Sequence, residues 1–318
     1  MKTILITGGC GFIAKGLLKK LYDNDTQIIC VDNFISSSEN AFNSFLQKNK
    51  LLNIIYNNID ICNKDDLQRF LTFLNIKNIN EVYHLASIAS PPLYKKFPLE
   101  TLDVAYIGTK NVLEICKKYN SKILFTSTSE VYGDPSVNPQ SETYYGNVNS
   151  FGVRSSYDCG KRVAEALCFS YIHEYNIDVK IARIFNTYGP EMDINDGRII
   201  TETIKHLINN STLTIYGDGN QTRSICFIKD TVDMLVDLMS SKSNIPVNIG
   251  NDYELTINQI INQIEIIYGK TVKKTFKPLT ENDPMIRKPC LKLNESLLGK
   301  RVFVSLKDGI TQTINQNI

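Results

Sequence analysis

Residues 2–14 read KTILITGGCGFIA. The first six are a short, apolar, β-branched run, which predicts a strand. A glycine cluster follows at once: Gly8 and Gly11, with Ala14, give G-x-x-G-x-x-A. Helix-forming residues continue to Tyr22, a second strand-like run spans Gln27 to Val31, and Asp32 closes it. Strand, glycine turn, helix, strand, acid is the order of a dinucleotide site. The glycines let backbone reach a pyrophosphate at a helix N-terminus. Asp32 can accept hydrogen bonds from both ribose hydroxyls and would repel a 2′-phosphate. No Arg lies between Gly8 and Asn40, so the pattern favours NAD over NADP.

The alternation continues outward from this start. Strand-like runs at Asn53 to Tyr56, Glu81 to Leu85, Lys122 to Thr126 and Ile177 to Ile184 enclose helical stretches around Lys64 to Leu74 and Pro98 to Tyr119. That order implies an α/β fold: a doubly wound parallel Rossmann sheet with helices on both faces. Asp60, just past the third strand, falls where adenine is usually met. After Ile184 the rhythm fades. The expected organisation is an NAD-binding Rossmann domain over 1–184 and a smaller C-terminal substrate-binding domain over 185–318, with a segment near 222–248 returning to the first.

Composition narrows the function classes. Lys plus Arg total 35 and Asp plus Glu 33 in 318 residues, a balance that points to neither nucleic acid nor an acidic membrane surface. Eight cysteines are scattered without a C-x-x-C pair or metal-ligand spacing, so buried free thiols in a reducing compartment, and no metal, are expected. No apolar run approaches a membrane span. The first strand begins at residue 2, leaving no room for a signal peptide, and a cytoplasmic location is expected.

Chemistry concentrates in two further stretches. Tyr157-Asp158-Cys159-Gly160-Lys161 puts Tyr157 and Lys161 on one helix face. An ammonium near a phenol favours the phenolate, and such a Tyr can take a proton from a hydroxyl. Ser127-Thr128-Ser129-Glu130 stands at the C-terminal end of a predicted parallel strand, which faces the ligand crevice. Isolated arginines at 198, 223 and 287 suit bidentate binding of phosphate or carboxylate. The helix from Thr101 to Tyr119 carries Leu102, Ala105, Tyr106, Thr109 and Val112 at helical spacing. That stripe serves either core packing or, with the Tyr157 helix, a homodimer face.

With these motifs in order, the chain resembles the extended short-chain dehydrogenase/reductases. Within them it resembles the UDP-glucuronic acid decarboxylase (UDP-xylose synthase) family, from residue 1 to about residue 300. GGCGFI (8–13), STSEVYG (127–133), Tyr157-x-x-x-Lys161 and RIFNTYGP (183–190) carry the broader likeness. HLASIASPP (84–92), YGNVNSFGVRSSYDCGKR (145–162), DGR (196–198), YGDGNQTRS (216–224), NIGN (248–251) and DPMIRKP (283–289) carry the narrower one. The resemblance implies Gly8, Gly11, Phe12, Ile13, Asp32, Asn33, Asp60, Ile61, Leu85 and Ala86 at the NAD, with Tyr157 and Lys161 reaching its nicotinamide end. It implies Thr128, Tyr157, Lys161, Glu130 and Arg287 as the catalytic set. Pro92, Ser129, Asn186, Arg198, Tyr216 and Arg223, with Glu130 and Arg287, fall at the UDP-sugar.

The chain departs from the family at Cys10, Ala14, Lys15-Gly16, Ala105 (commonly Asn), Tyr145 (usually Trp) and Cys290 (usually Asp). The implied reaction is UDP-glucuronate to UDP-xylose and CO2 through a C4 ketone, with NAD recycled. UDP-sugar 4-epimerase and 4,6-dehydratase are the neighbouring alternatives, and a non-catalytic NAD-binding regulator the remote one. Ser129 speaks against the dehydratase, which carries an Asp there.

Overall fold

The computed structural model describes residues 1–279 and 285–317; Asp283 and Pro284 of the DPMIRKP stretch lie outside the described residues. The first half alternates: β1 (Lys2–Thr7), α1 (Phe12–Leu21), β2 (Thr26–Asp32), α2 (Glu39–Lys48), β3 (Ile54–Asn58), α3 (Lys64–Phe73) and β4 (Glu81–His84). Then come α4 (Pro91–Lys96), α5 (Pro98–Asp103), α6 (Thr109–Tyr119), β5 (Lys122–Thr128), α7 (Ser155–Tyr175) and β6 (Val179–Ile184). The remainder is β7 (Thr187–Tyr188), α8 (Ile199–Ile208), β8 (Thr212–Tyr216), β9 (Thr222–Ser224), β10 (Cys226–Phe227), α9 (Ile228–Ser240) and β11 (Pro246–Ile249). It closes with β12 (Glu254–Thr256), α10 (Ile257–Tyr268), β13 (Lys273–Lys277), α11 (Lys292–Leu298) and α12 (Leu306–Asn317).

Seven strands form one parallel sheet in the order β11-β6-β5-β4-β1-β2-β3. The order reverses between β1 and β4, and a crevice opens at such a point outside the strands' carboxyl ends. Strand residues alternate between two cores. Ile4, Ile6, Ile28, Cys30 and Leu124 pack on one face, while Leu5, Ile29, Val31, Ile123 and Phe125 pack on the other. Burial on both faces is why these strands read as near-continuous apolar runs. β11 reaches the sheet edge through α9 and pairs with β6. The other strands make three two-stranded sheets, β7 with β10, β9 with β12 and β8 with β13.

The helix expected over Pro98–Tyr119 is continuous but not uniform, because Val104–Gly108 is a π-helical turn between α5 and α6. One inserted residue shifts the phase of the apolar stripe, but the segments on either side are too short for the shift to be read from periodicity. Ala105 lies in this turn and is buried; a Cβ on Gly160 of α7 would come within 3.1 Å of the Ala105 Cβ. A small residue at each position lets the two helices approach closely.

The second half is tied to the sheet by two fully buried amides. Gln140 donates its N–H to the Lys288 carbonyl (2.8 Å), and its Oε1 accepts from Lys288 N (2.8 Å). The Gln140 carbonyl accepts from Cys290 N and from Asn248 Nδ2. Asn248 Nδ2 also donates to the Cys290 carbonyl, and its Oδ1 accepts from Tyr132. Cys290 is thus held by its backbone, and its departure from the family leaves this anchoring in place. No helix among the described residues is long and apolar enough to cross a membrane.

Candidate active site

A cavity of about 1510 Å³ opens along the carboxyl ends of β1, β2, β4 and β5 and continues to the second half of the chain. A pocket for one small ligand measures roughly 300–1,000 Å³, so there is room for a dinucleotide beside a second molecule. Every described residue expected at a site lines it. Gly8, Gly11, Phe12, Ile13, Asp32, Asn33, Asp60, Ile61, Leu85 and Ala86 occupy one end. Thr128, Ser129, Glu130, Tyr157, Lys161 and Arg287 lie beyond them, with Pro92, Asn186, Arg198, Tyr216 and Arg223 around the far side.

The first end fits a dinucleotide. Gly8 has φ +65°, and a Cβ there would sit 2.7 Å from Ala86 N, so a side chain would fill the cradle. Gly11 is the N-cap of α1 and offers no side chain to its first-turn N–H groups. Those donors are the partners a pyrophosphate uses. Asp32, at the end of β2, accepts from Cys10 N (3.0 Å), Phe34 N (2.9 Å) and Ser37 Oγ (2.9 Å). These bonds fix its carboxylate and leave lone pairs for a ribose diol. Asn33 Nδ2 donates to Asp60 Oδ2 at 3.2 Å, joining the loops after β2 and β3.

At the other end, Tyr157 sits near the start of α7, 7 % exposed. Its ring stacks on Tyr94 with centroids 5.1 Å apart and planes 7° from parallel. Burial pushes the phenol up to about 12, while a hydrogen bond with Thr128 and the Arg198 charge pull it back down. This corrects the sequence expectation, which gave that task to Lys161. Lys161 Nζ donates to the Thr126 carbonyl at 2.8 Å and lies 5.0 Å over the Phe125 ring. Its own burial lowers it to about 8. Burial outweighs the helical Tyr–Lys spacing here.

Arg287 is no surface residue, being only 1 % exposed. Nη1 donates to Ser129 Oγ (3.1 Å), and Nη2 to Glu130 Oε2 (3.1 Å) and the Gly133 carbonyl (3.1 Å). Its Nε is buried without a hydrogen-bond partner among the described residues. Arg198 is already held by both Asp196 oxygens (2.8 and 2.7 Å) and donates to the Ala89 carbonyl (3.1 Å). Arg223 Nη1 donates to the Thr222 carbonyl. Among the described residues, no group of three or more His, Cys, Asp or Glu side chains could hold a metal.

Sequence reasoning missed three site residues. Arg154 donates to Glu130 Oε2 through Nη2, and its Nε lies 3.4 Å from Asp158 Oδ2. Its guanidinium also lies 5.8 Å over the Tyr94 ring. The i,i+4 spacing of Arg154 and Asp158 was the available signal; Tyr94 had none. Burial would raise Glu130, but Arg287 and Arg154 outweigh it and hold the carboxyl at about 2. Asp158 goes the other way: burial and then the Glu130 charge raise it to about 7.

A doubly wound sheet with a dinucleotide cradle at its switch point and a Thr-Tyr-Lys set beyond β5 defines the extended short-chain dehydrogenase/reductase class. The sequence profile of the NAD dependent epimerase/dehydratase family matches residues 4–250, and the chain belongs to that family, among its UDP-glucuronic acid decarboxylases. It is 39 % identical over 314 residues to UDP-glucuronic acid decarboxylase 1 of Xenopus tropicalis, covering 99 % of this chain and 72 % of the relative. It is 39 % identical over 308 residues to UDP-glucuronic acid decarboxylase 5 of Arabidopsis thaliana, covering 96 % and 86 %. Similar solved structures include UDP-glucose 4-epimerase of Thermotoga maritima with UDP-glucose (TM-score 0.89, 26 % identity, 99 % and 98 % covered). Another is UDP-glucuronic acid 4-epimerase of Bacillus cereus with UDP-glucuronic acid and NAD (TM-score 0.86, 29 % identity, 99 % and 98 % covered).

The raised Asp158 carboxyl has a stability consequence of definite sign. Its folded-state value lies above the ordinary carboxylate value, so its favourable contribution is full at low pH and is lost as pH rises through about 7. Asp158→Asn removes the charge that folding disfavours. Urea unfolding is expected to show the variant more stable than the parent at pH 8, on the order of 1–3 kcal/mol, with the gap closing toward pH 4. A variant less stable at pH 8 would contradict the assignment.

Proposed function

We propose that this protein converts UDP-glucuronate to UDP-xylose and CO2. One observation carries the reading: a half-buried Arg154 and a buried Arg287 meet across Glu130, in the cavity that also holds the buried Tyr157 and the dinucleotide cradle. The names of the relatives point the same way. The cofactor is NAD, which when bound supplies a reversible hydride acceptor at the sugar's C4.

Tyr157 takes the C4 hydroxyl proton in its phenolate form, which the Thr128 hydroxyl and the Arg198 charge favour against burial, and Thr128 holds that hydroxyl in line. Lys161 is anchored on Thr126 and lines the same cavity, where it would hold the ribose next to the nicotinamide. The C4 ketone is β to the C6 carboxylate, so the C5–C6 electrons can flow toward the C4 oxygen. Thr128 and Tyr157 stabilise the charge that develops there. Arg287 meets the carboxylate through an N–H it does not spend on Ser129, Glu130 and Gly133. Glu130, kept ionised between two guanidiniums, positions both and is no proton donor at neutral pH. Pro92, Asn186, Tyr216 and Arg223 face the UDP end, and Arg198 acts there through its fixed pairing with Asp196.

In the same reading residues 1–184, with β11 returning through α9, hold NAD, and most of 185–318 holds the UDP-sugar. The protein works in the cytoplasm, in keeping with eight free cysteines. It pairs with a second copy through the α5–α6 and α7 face, where Leu102, Tyr106, Ile107 and Val163 are exposed. Light scattering at micromolar concentration is expected to give twice the chain mass, and a monomer would refute the pairing.

Incubation with UDP-glucuronate and NAD+ is expected to release CO2 and yield UDP-xylose by NMR. A C4 epimer without CO2 would favour the epimerase alternative instead. Tyr157→Phe is expected to keep NAD binding and lose 10²- to 10⁴-fold in turnover, on the order of removing an acid/base. Near-parental turnover by that variant would rule out the base assignment. Arg287→Ala is expected to slow CO2 release roughly tenfold or more, the worth of a charge-assisted hydrogen bond. Unchanged CO2 release and KM would remove Arg287 from the site.

A further inference from the structure

Two carboxylates share one guanidinium beside Tyr157. Arg154 contacts Glu130 through Nη2 and Asp158 through Nε. Arg287 reaches the same Glu130 oxygen from the other side. Arg154, Glu130 and Arg287 line the cavity, whereas Asp158 lies one helical turn behind them, 6 % exposed. Its Oδ1 is buried without a hydrogen-bond partner among the described residues. An ionised carboxylate with a buried, unsatisfied oxygen is costly, and the neutral acid is far less so. The groups facing Asp158 are Glu130 after β5, Arg287 in the C-terminal segment, Tyr94 on α4, and Arg154, Tyr157 and Cys159 at the start of α7.

A sugar carboxylate entering this corner brings a third acid to the two guanidiniums. Added negative charge drives protonation of the carboxylate least able to stay ionised. Glu130 is paired to both arginines, while Asp158 touches Arg154 alone through its longer contact. We propose that Asp158 takes up a proton from solvent as the sugar's carboxylate binds, so that the cluster admits a third acid without a change in its total charge.

Asp158 is then a positioning residue that works through Arg154, and the inference rests on the decarboxylation proposed above. The proton count agrees with that reaction. Breaking C5–C6 releases neutral CO2 and leaves the electron pair with C5 and the C4 oxygen, and C5 then gains one proton. One proton is consumed per turnover, equal in number to the one bound at Asp158, which ends the cycle ionised.

Calorimetry on the NAD-loaded protein tests this, with the Tyr157→Phe change present to stop chemistry. UDP-glucuronate and UDP-glucose, which differ at C6 in charge, are titrated at pH 8, where Asp158 is mostly ionised before the ligand binds, in two buffers of different ionisation enthalpy. UDP-glucuronate is expected to bind with uptake of about 0.5 proton or more per site, and UDP-glucose with none. Adding Asp158→Asn should abolish the uptake while UDP-glucose still binds. Equal uptake with both ligands, none with either, or uptake that survives Asp158→Asn overturns the proposal. Difference infrared spectra of the protein with Asp158 intact give a second reading independent of that variant's folding. A protonated-carboxyl band should rise with UDP-glucuronate only, and its absence overturns the proposal too. Failure of UDP-glucuronate to compete with UDP at all would instead defeat the functional reading, and this inference with it.

Discussion

A guanidinium taken out of water needs acceptors, and Arg287 finds them for both Nη atoms by drawing the end of β5 to itself. Ser129, Glu130 and the Gly133 carbonyl are its partners. Losing any one of them leaves a buried charge short of a bond, which costs far more than a surface contact would. The loop that carries Arg287 therefore has one place to go. Gln140 and Asn248 hold its backbone there, so the second half of the chain is seated on the sheet by polar constraints as well as by apolar packing.

The same corner shows how burial separates acids that look alike in sequence. Glu130 and Asp158 both touch Arg154, yet one is held strongly acidic and the other brought toward neutrality. The difference lies in the second cation: Arg287 pairs directly with Glu130 and acts on Asp158 only from farther off. Tyr157 follows a related rule. Burial raises its phenol, and the hydroxyl of Thr128 at the strand end, as a donor, is the main local counterweight.

What was legible in the sequence was what is local. The glycine turn, Asp32 and the Tyr157–Lys161 pair each lie within a short span, and β/α alternation fixes the sheet on which they converge. The burial of Arg287 was not legible, because its three partners lie 158, 157 and 154 positions away. Nothing near Tyr94 marks it as the ring that stacks on Tyr157. The π-turn at Val104–Gly108 was hidden because one inserted residue shifts the phase of an apolar stripe too short to show it. Arg198 was legible as a cation suited to an anion but not as one already committed to Asp196.

The long reach of Arg287 also bears on the order in which the site is completed during synthesis. Strands β1 to β5, with Gly8, Asp32 and Thr128, leave the ribosome well before residue 287, and contacts of large sequence separation form late and slowly. A nascent chain can thus fold its cofactor cradle around its own local contacts while the sugar pocket still lacks a wall. Until that last arginine arrives, Glu130 has one cation instead of two, and the corner beside Tyr157 carries one positive charge fewer than in the finished fold.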